Sequence, residues 1–220
     1  TLRNSSAASD VYKRQSYSHA TFHASRVGNN SYAQPSDMYS GALTIYGSSG
    51  NDYISTTNYA DTITTGAGND QVLAQNGSDT INLGEGNDVA FVDIASLTED
   101  ASINGGTGSD TLNFGYVSNL DSHMYGDQSP SYDSSVNINM ASLGNATNFE
   151  NIVGTRAGDD TLTGNSDTNV LIGSGASDII YGNGGNDELY GDYATTDNGG
   201  SVYGLRSYDK GTEGNDKLYG

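Results

Sequence analysis

Five aspartates, Asp52, Asp61, Asp70, Asp79 and Asp88, recur every nine residues in a chain of 220. Four of them have a glycine two residues earlier (Gly50, Gly68, Gly77, Gly86), and Ile54, Ile63, Val72 and Ile81 stand two residues after the first four. Ala90 holds that place after Asp88. The motif returns at Asp110, again through Asp160, Asn169, Asp178 and Asp187, and last at Asp216. Carboxylates set in glycine-rich turns offer oxygen alone, from side chains and from backbone carbonyls. That donor set suits a hard cation taking about 6–8 oxygens at roughly 2.3–2.6 Å, which is calcium rather than the tighter, water-retaining magnesium. Zinc would look for nitrogen or sulfur, and the chain has no cysteine.

The charge balance points the same way. Lys and Arg total 8 against 27 Asp and Glu, a net charge of −19, and no Lys or Arg occurs between Arg26 and Arg156. Stacked carboxylates without protein cations oppose one another's ionisation, so a divalent ion is the missing counter-charge. The same balance excludes nucleic-acid binding, which needs basic surface. Apolar content of 34% and a mean hydropathy of −0.55 leave little for a large core. No apolar run reaches the ~20 residues of a membrane helix, and no apolar leader stands at the N-terminus.

The elements that must position these aspartates follow from the period. Each cycle divides into a turn and a strand of about three residues. Glycine suits the turn because positive φ carries no Cβ penalty. The asparagines before the aspartates (Asn51, Asn69, Asn87, Asn186, Asn215) are expected to tolerate the same left-handed geometry. In Thr80-Ile81-Asn82, Ile81 faces in and its neighbours face water. Two turns close one coil, so residues eighteen apart stack within each repeat block, and Asp52, Asp70 and Asp88 line one side with Asp61 and Asp79 on the other. A short period of this kind describes a solenoid.

Gly105-Gly106-Thr107-Gly108-Ser109-Asp110-Thr111-Leu112-Asn113 matches G-G-x-G-x-D-x-U-x at every position. The chain resembles the repeat region of RTX proteins over about residues 47–113 and 154–220. Other copies are degenerate: the one ending at Thr64 has no glycine, Asn169 replaces an aspartate, and Ala176 replaces a glycine. The resemblance implies an all-β fold, a parallel β-roll (a two-sheet right-handed β-solenoid), with several calcium ions held between adjacent turns. The implied metal carboxylates are Asp52, Asp61, Asp70, Asp79, Asp88, Asp110, Asp160, Asp178, Asp187 and Asp216. They act with the backbone of Gly50, Gly68, Gly77, Gly86, Gly108, Gly158, Gly185 and Gly214. It also implies a secreted bacterial protein, exported in one step by a C-terminal signal, that folds outside the cell or at its surface on meeting calcium.

The organisation expected along the chain starts at residues 1–15, which read as the translation of a sequencing adapter and mark an environmental fragment with neither true terminus. Residues 16–46 are a lead-in or cap, with Leu43 and Ile45 opening a metal-free turn. The first roll block is 47–113, and within it 96–104 keeps the length of one cycle but carries Ala101 in the aspartate place. Residues 114–153 form an interrupting β-hairpin-like insertion. The second block, 154–220, includes a loop insertion at 192–210.

Other motifs carry little. His19-Ala-Thr-Phe-His23 has a zinc-helix spacing with alanine in place of the general-base glutamate, and His123 stands alone. No nucleophile elbow, phosphate loop or EF-hand spacing is present, so no catalytic residue is assigned. Tyr181, Tyr190 and Tyr219 fall on the outer face, as stacked strand neighbours rather than a sugar-binding strip. The expected role is a calcium-binding structural roll, with any cell-surface or polysaccharide contact left to the parent protein. Two alternatives stand beside it: the C-terminal module of a secreted protease, lipase or polysaccharide-modifying enzyme, and a calcium-dependent adhesin or surface-layer subunit.

Overall fold

Among the described residues, strands of two to five residues, one per cycle, carry the fold. The structure, a computed structural model, describes residues 20–23, 31–33, 41–73, 75–92, 97, 102–115, 135–192 and 214–220. The adapter-like segment 1–15, His19, Ala101, His123 and residues 193–210 lie outside the described residues.

Chain contacts separate two units: Thr1–Asp110 with Gly144–Phe149, and Thr111–Leu143 with Glu150–Gly220. The first holds β1 (Ala20–His23), β2 (Ser31–Ala33), β3 (Leu43–Tyr46), β4 (Asp52–Ser55), β5 (Thr62–Thr64), β6 (Gln71–Leu73), β7 (Thr80–Asn82), β8 (Val89–Phe91) and β9 (Ser102–Asn104). The second begins with β10 (Thr111–Asn113) and β11 (Asn137–Asn139), the latter followed by one 3-10 turn at Met140–Ser142; β12 (Ala146–Thr147) returns to the first unit. The second unit continues with β13 (Asn151–Val153), β14 (Thr161–Thr163), β15 (Val170–Ser174), β16 (Ile179–Tyr181), β17 (Glu188–Asp192) and β18 (Lys217–Tyr219).

Successive strands fall on alternate sheets, and each pairs in parallel with the strand of the next coil. In the first unit β1-β3-β5-β7-β9-β12 form one sheet and β2-β4-β6-β8 lie together in another. In the second, β10-β13-β15-β17 and β11-β14-β16-β18 repeat the arrangement. This is the parallel β-solenoid that the nonapeptide period predicts. Ile54 pairs with Val72 and Ile63 with Ile81, as two turns per coil require.

Each cycle from β3 to β16 sends at least one apolar side chain into the core. Ile54, Ile63, Val72, Ile81, Ala90, Ile103, Leu112, Ile138, Ile152, Leu162, Leu171 and Ile180 are each exposed by 1% or less. Thr80 and Asn82 flank Ile81 in the open, as the pleat demands. Leu43 and Ile45, in β3, are equally buried. Strands in the β2-β4-β6-β8 sheet of the first unit and the β10-β13-β15-β17 sheet of the second depart from this rule, because β4, β8, β10 and β13 are buried at every position. Val89, Phe91 and Val153 stand there in outward slots, where near-continuous apolar character marks a parallel strand buried on both faces.

Three expectations need correction. The segment 137–153 is not hairpin-like: its strands do not pair with one another. β11 joins β14, β12 joins β9, and β13 joins β10 and β15, all in parallel. An isolated two-stranded hairpin is marginal in water, whereas each of these short strands finds a ready-made parallel edge. Second, the eighteen-residue register slips inside the first block, since Ile81 pairs with Ile103 and Asp88 reaches Asp110 at a separation of 22. The chain between Phe91 and Ser102 is therefore longer than a cycle. Third, Asn51, Asn69, Asn87, Asn186 and Asn215 have no positive φ; Asn148, Ser174, Ala176 and Asn183 do. The amide oxygens of Asn51, Asn69 and Asn87 instead accept the N–H of Asn69, Asn87 and Ser109, the equivalent residues one coil on, at 2.9–3.0 Å. Separately, Ala20–His23 is a strand rather than a helix.

Candidate metal centre

The aspartates stand at the junction of turn and strand, where the chain swings from one sheet to the other. Stacking carries each carboxylate under the backbone of the preceding coil. Asp52 N–H donates to Asp70 Oδ1 at 2.7 Å, Asp70 N–H to Asp88 Oδ1 at 2.7 Å, and Asp88 N–H to Asp110 Oδ1 at 2.8 Å. Across the coil Leu43 N–H donates to Asp61 at 2.7 Å and Asp61 N–H to Asp79 at 2.8 Å. In the second unit Val136, Asp160 and Asp178 donate in turn to Asp160, Asp178 and Asp216 at 2.8–2.9 Å, and Asn169 donates to Asp187 at 3.0 Å. Each column is thus a ladder of carboxylates running along the stacking direction.

The turns stack as closely as the strands. Glu85 N–H reaches Gly66 O at 2.9 Å and Thr107 N–H reaches Gly84 O at 2.8 Å, while Gly68 N–H reaches Glu85 O at 2.8 Å. Gly68 and Gly86 hold φ of 122° and 135°, and a Cβ on Gly86 would collide with the carbonyl oxygen of Gly68. Glycine is needed there both for its φ and for the approach of one turn to the next.

Burial makes these carboxylates unusual. Asp70, Asp79 and Asp88 are fully buried, and Asp52, Asp61, Asp110, Asp160 and Asp178 nearly so; Asp187 and Asp216 are half-buried. The second oxygens of Asp70, Asp88 and Asp178 accept no hydrogen bond. Thr65 lies beside Asp70 and lowers its pKa, but the Thr65 hydroxyl is committed to Leu83 O. Burial is the first cause of raised pKa values: Asp88 and Asp178 rise to about 7, Asp160 to about 6, and Asp70 also rises. Neighbouring carboxylates add to this, Asp70 and Asp110 on Asp88 and Asp160 and Asp216 on Asp178. A buried, orphaned carboxylate oxygen is an expensive arrangement that a cation would relieve.

A family model for the RTX calcium-binding nonapeptide repeat matches in four copies, at residues 44–56, 55–90, 151–178 and 163–192. The chain carries RTX repeats. Repeats of this type bind calcium, and the roll they build is a structural module. A search of curated proteins finds no match.

The RTX copies contain Asp52 through Asp88 and Asp160 through Asp187; Asp110 and Asp216 lie outside them but occupy the same columns. Among the described residues, no three Asp, Glu or His side chains meet at one point. An ion here would therefore draw most of its ligands from backbone carbonyls, as hard cations accept.

The repeat pattern does not point to one set of residues at these turns. Ser48 N–H and hydroxyl donate to Asp52 at 2.5 and 3.2 Å. Thr57 does the same for Asp61 at 2.6 and 2.9 Å, and Thr155 for Asp160 at 2.5 and 3.0 Å. The available signal was a hydroxyl four or five residues before the aspartate, where complete copies carry glycine. Asn169, the aspartate replacement, is satisfied as an amide, accepting from Asn165 N–H at 2.9 Å and donating to Glu150 O at 3.0 Å.

Proposed function

We propose that the chain is the calcium-binding roll of a larger secreted bacterial protein, and that calcium drives its folding. The observation that carries this is the set of buried, unpartnered oxygens on Asp70, Asp88 and Asp178. No Lys or Arg stands between Arg26 and Arg156 to neutralise the first group. Calcium is assigned to the turns closed by these three residues; Asp110 and Asp216 follow by their places in the same columns, and Asp79 and Asp187 by the same motif in the columns across the coil. The backbones of Gly50, Gly68, Gly77, Gly86, Gly108, Gly158, Gly185 and Gly214 supply the surrounding carbonyls. Bound calcium supplies the positive charge that lets the carboxylates ionise inside the stack.

Blocks 47–113 and 154–220 are the calcium-bearing parts, and the lead-in serves as a cap. No catalytic role is assigned to the roll. Its work is calcium-triggered rigidity and the presentation of neighbouring domains outside the cell or at its surface, where millimolar calcium is available.

Circular dichroism during a calcium titration tests the reading. The few apolar side chains buried in each nine-residue cycle cannot offset backbone ordering of about 1–2 kcal/mol per residue, so the metal-free chain at neutral pH should be largely unfolded. Strand signal should appear at roughly 10⁻⁴–10⁻³ M calcium. Full strand signal in the presence of chelator would refute it.

A further inference from the structure

We infer that the residue opening each turn decides whether that turn takes calcium, and that Ser48, Thr57 and Thr155 close theirs without it. The inference rests on the calcium reading above and sorts the aspartates into two kinds. At Asp52, Asp61 and Asp160 the turn turns its own backbone N–H inward and adds a hydroxyl. Each hydroxyl is itself oriented by an N–H further along the turn: Gly50 on Ser48 at 3.2 Å, Tyr59 on Thr57 at 3.2 Å, Gly158 on Thr155 at 3.1 Å. Asp61 and Asp160 accept one more N–H, from Leu43 and Val136. A carboxylate holding several donors has its charge spread and its lone pairs filled, and it gains little from a cation.

At Asp70, Asp88 and Asp178 the corresponding residues are Gly66, Gly84 and Ser174, with φ of 115°, 98° and 88°. Ser48, Thr57 and Thr155 take no positive φ. The change of sign rotates the peptide plane, so the N–H no longer faces the carboxylate and its second oxygen is left unpartnered and buried. Ser174 shows that backbone conformation decides the matter: it carries a hydroxyl, yet adopts the glycine-like φ and leaves Asp178 open. Among the described residues, the latched Asp52 and Asp61 precede the open Asp70 and Asp88, and the latched Asp160 precedes the open Asp178. The latched turns supply metal-free coils on which the calcium-requiring coils stack.

Crystals of the chain grown with calcium, examined by anomalous scattering, locate the ions in the unmodified protein. Ions should bond the carboxylates of Asp70, Asp88 and Asp178, and none should bond Asp52, Asp61 or Asp160. An ion on any of those three overturns this inference while leaving the calcium reading intact; a chain fully folded without calcium at neutral pH overturns both. Equilibrium dialysis with calcium counted per chain gives the solution counterpart. Asp61→Asn should hold the parental number of ions and Asp88→Asn at least one fewer. Equal losses would sink the two-class assignment.

Discussion

Ala176 sits at a place where complete copies carry glycine, and it takes φ of 73°. A left-handed alanine is strained by about 1–2 kcal/mol, partly offset because glycine loses more entropy on folding. Ala176→Gly should therefore raise stability by roughly 0.5–1 kcal/mol in urea unfolding with calcium present. No change, or a loss, would mean that the second unit has relaxed around the alanine. Ile81 tests the opposite end of the cycle. It is 1% exposed and pairs with Ile63 and Ile103 on either side. Ile81→Ala should cost about 2–5 kcal/mol, because two backbone-locked neighbours cannot close the cavity. A cost under about 1 kcal/mol would show that the roll collapses onto small gaps.

At the scale of the element, the turn is as much a stacking unit as the strand. A Cβ on Gly86 collides with the Gly68 carbonyl, whereas one on Gly144 meets nothing within 4 Å. Gly86→Ala should destabilise by more than about 2 kcal/mol and raise the calcium midpoint, while Gly144→Ala should stay within about 0.5 kcal/mol. Equal effects on both would mean that the turns are not held in contact. The tyrosines show how element placement overrides a sequence stripe. Tyr181 and Tyr219 stack at 4.9 Å with an interplanar angle of 13°, because β16 and β18 are neighbours. Tyr190 belongs to β17 in the other sheet and bonds Glu188 at 3.0 Å, so the three do not form one strip.

At the scale of the whole molecule, the buried carboxylates make folding depend on pH in the absence of metal. Asp88 and Asp178 have folded pKa values near 7 and ordinary values of 3.8, so the folded state binds more protons than the unfolded one. Stability then falls as pH rises, and the loss accumulates between 3.8 and about 7. With chelator present, strand content should be greater near pH 4 than at pH 8. Saturating calcium should abolish or reverse the trend, because the ion competes with the proton for the same oxygens. A metal-free chain that folds better at pH 8 would contradict the burial of these groups.

What the sequence determined alone is what one cycle contains. The nine-residue spacing, the single inward side chain and the glycine turn are local, and a short pleated strand can present its middle residue only one way. Stacking of Asp52 under Asp70 follows by counting. Tertiary structure decided whatever depends on a partner brought from a distance. Between Phe91 and Ser102 the coil absorbs extra residues and still seats Ile103 on Ile81, because burial of that slot outweighs a fixed loop length. Asn151 and Thr111 are brought together across 40 residues by the same demand for a parallel edge. The state of each aspartate was decided there as well. Gly66, Ser174 and Thr57 can each be read in the sequence, but whether an N–H meets the carboxylate depends on the direction of a peptide plane that the neighbouring coil holds in place.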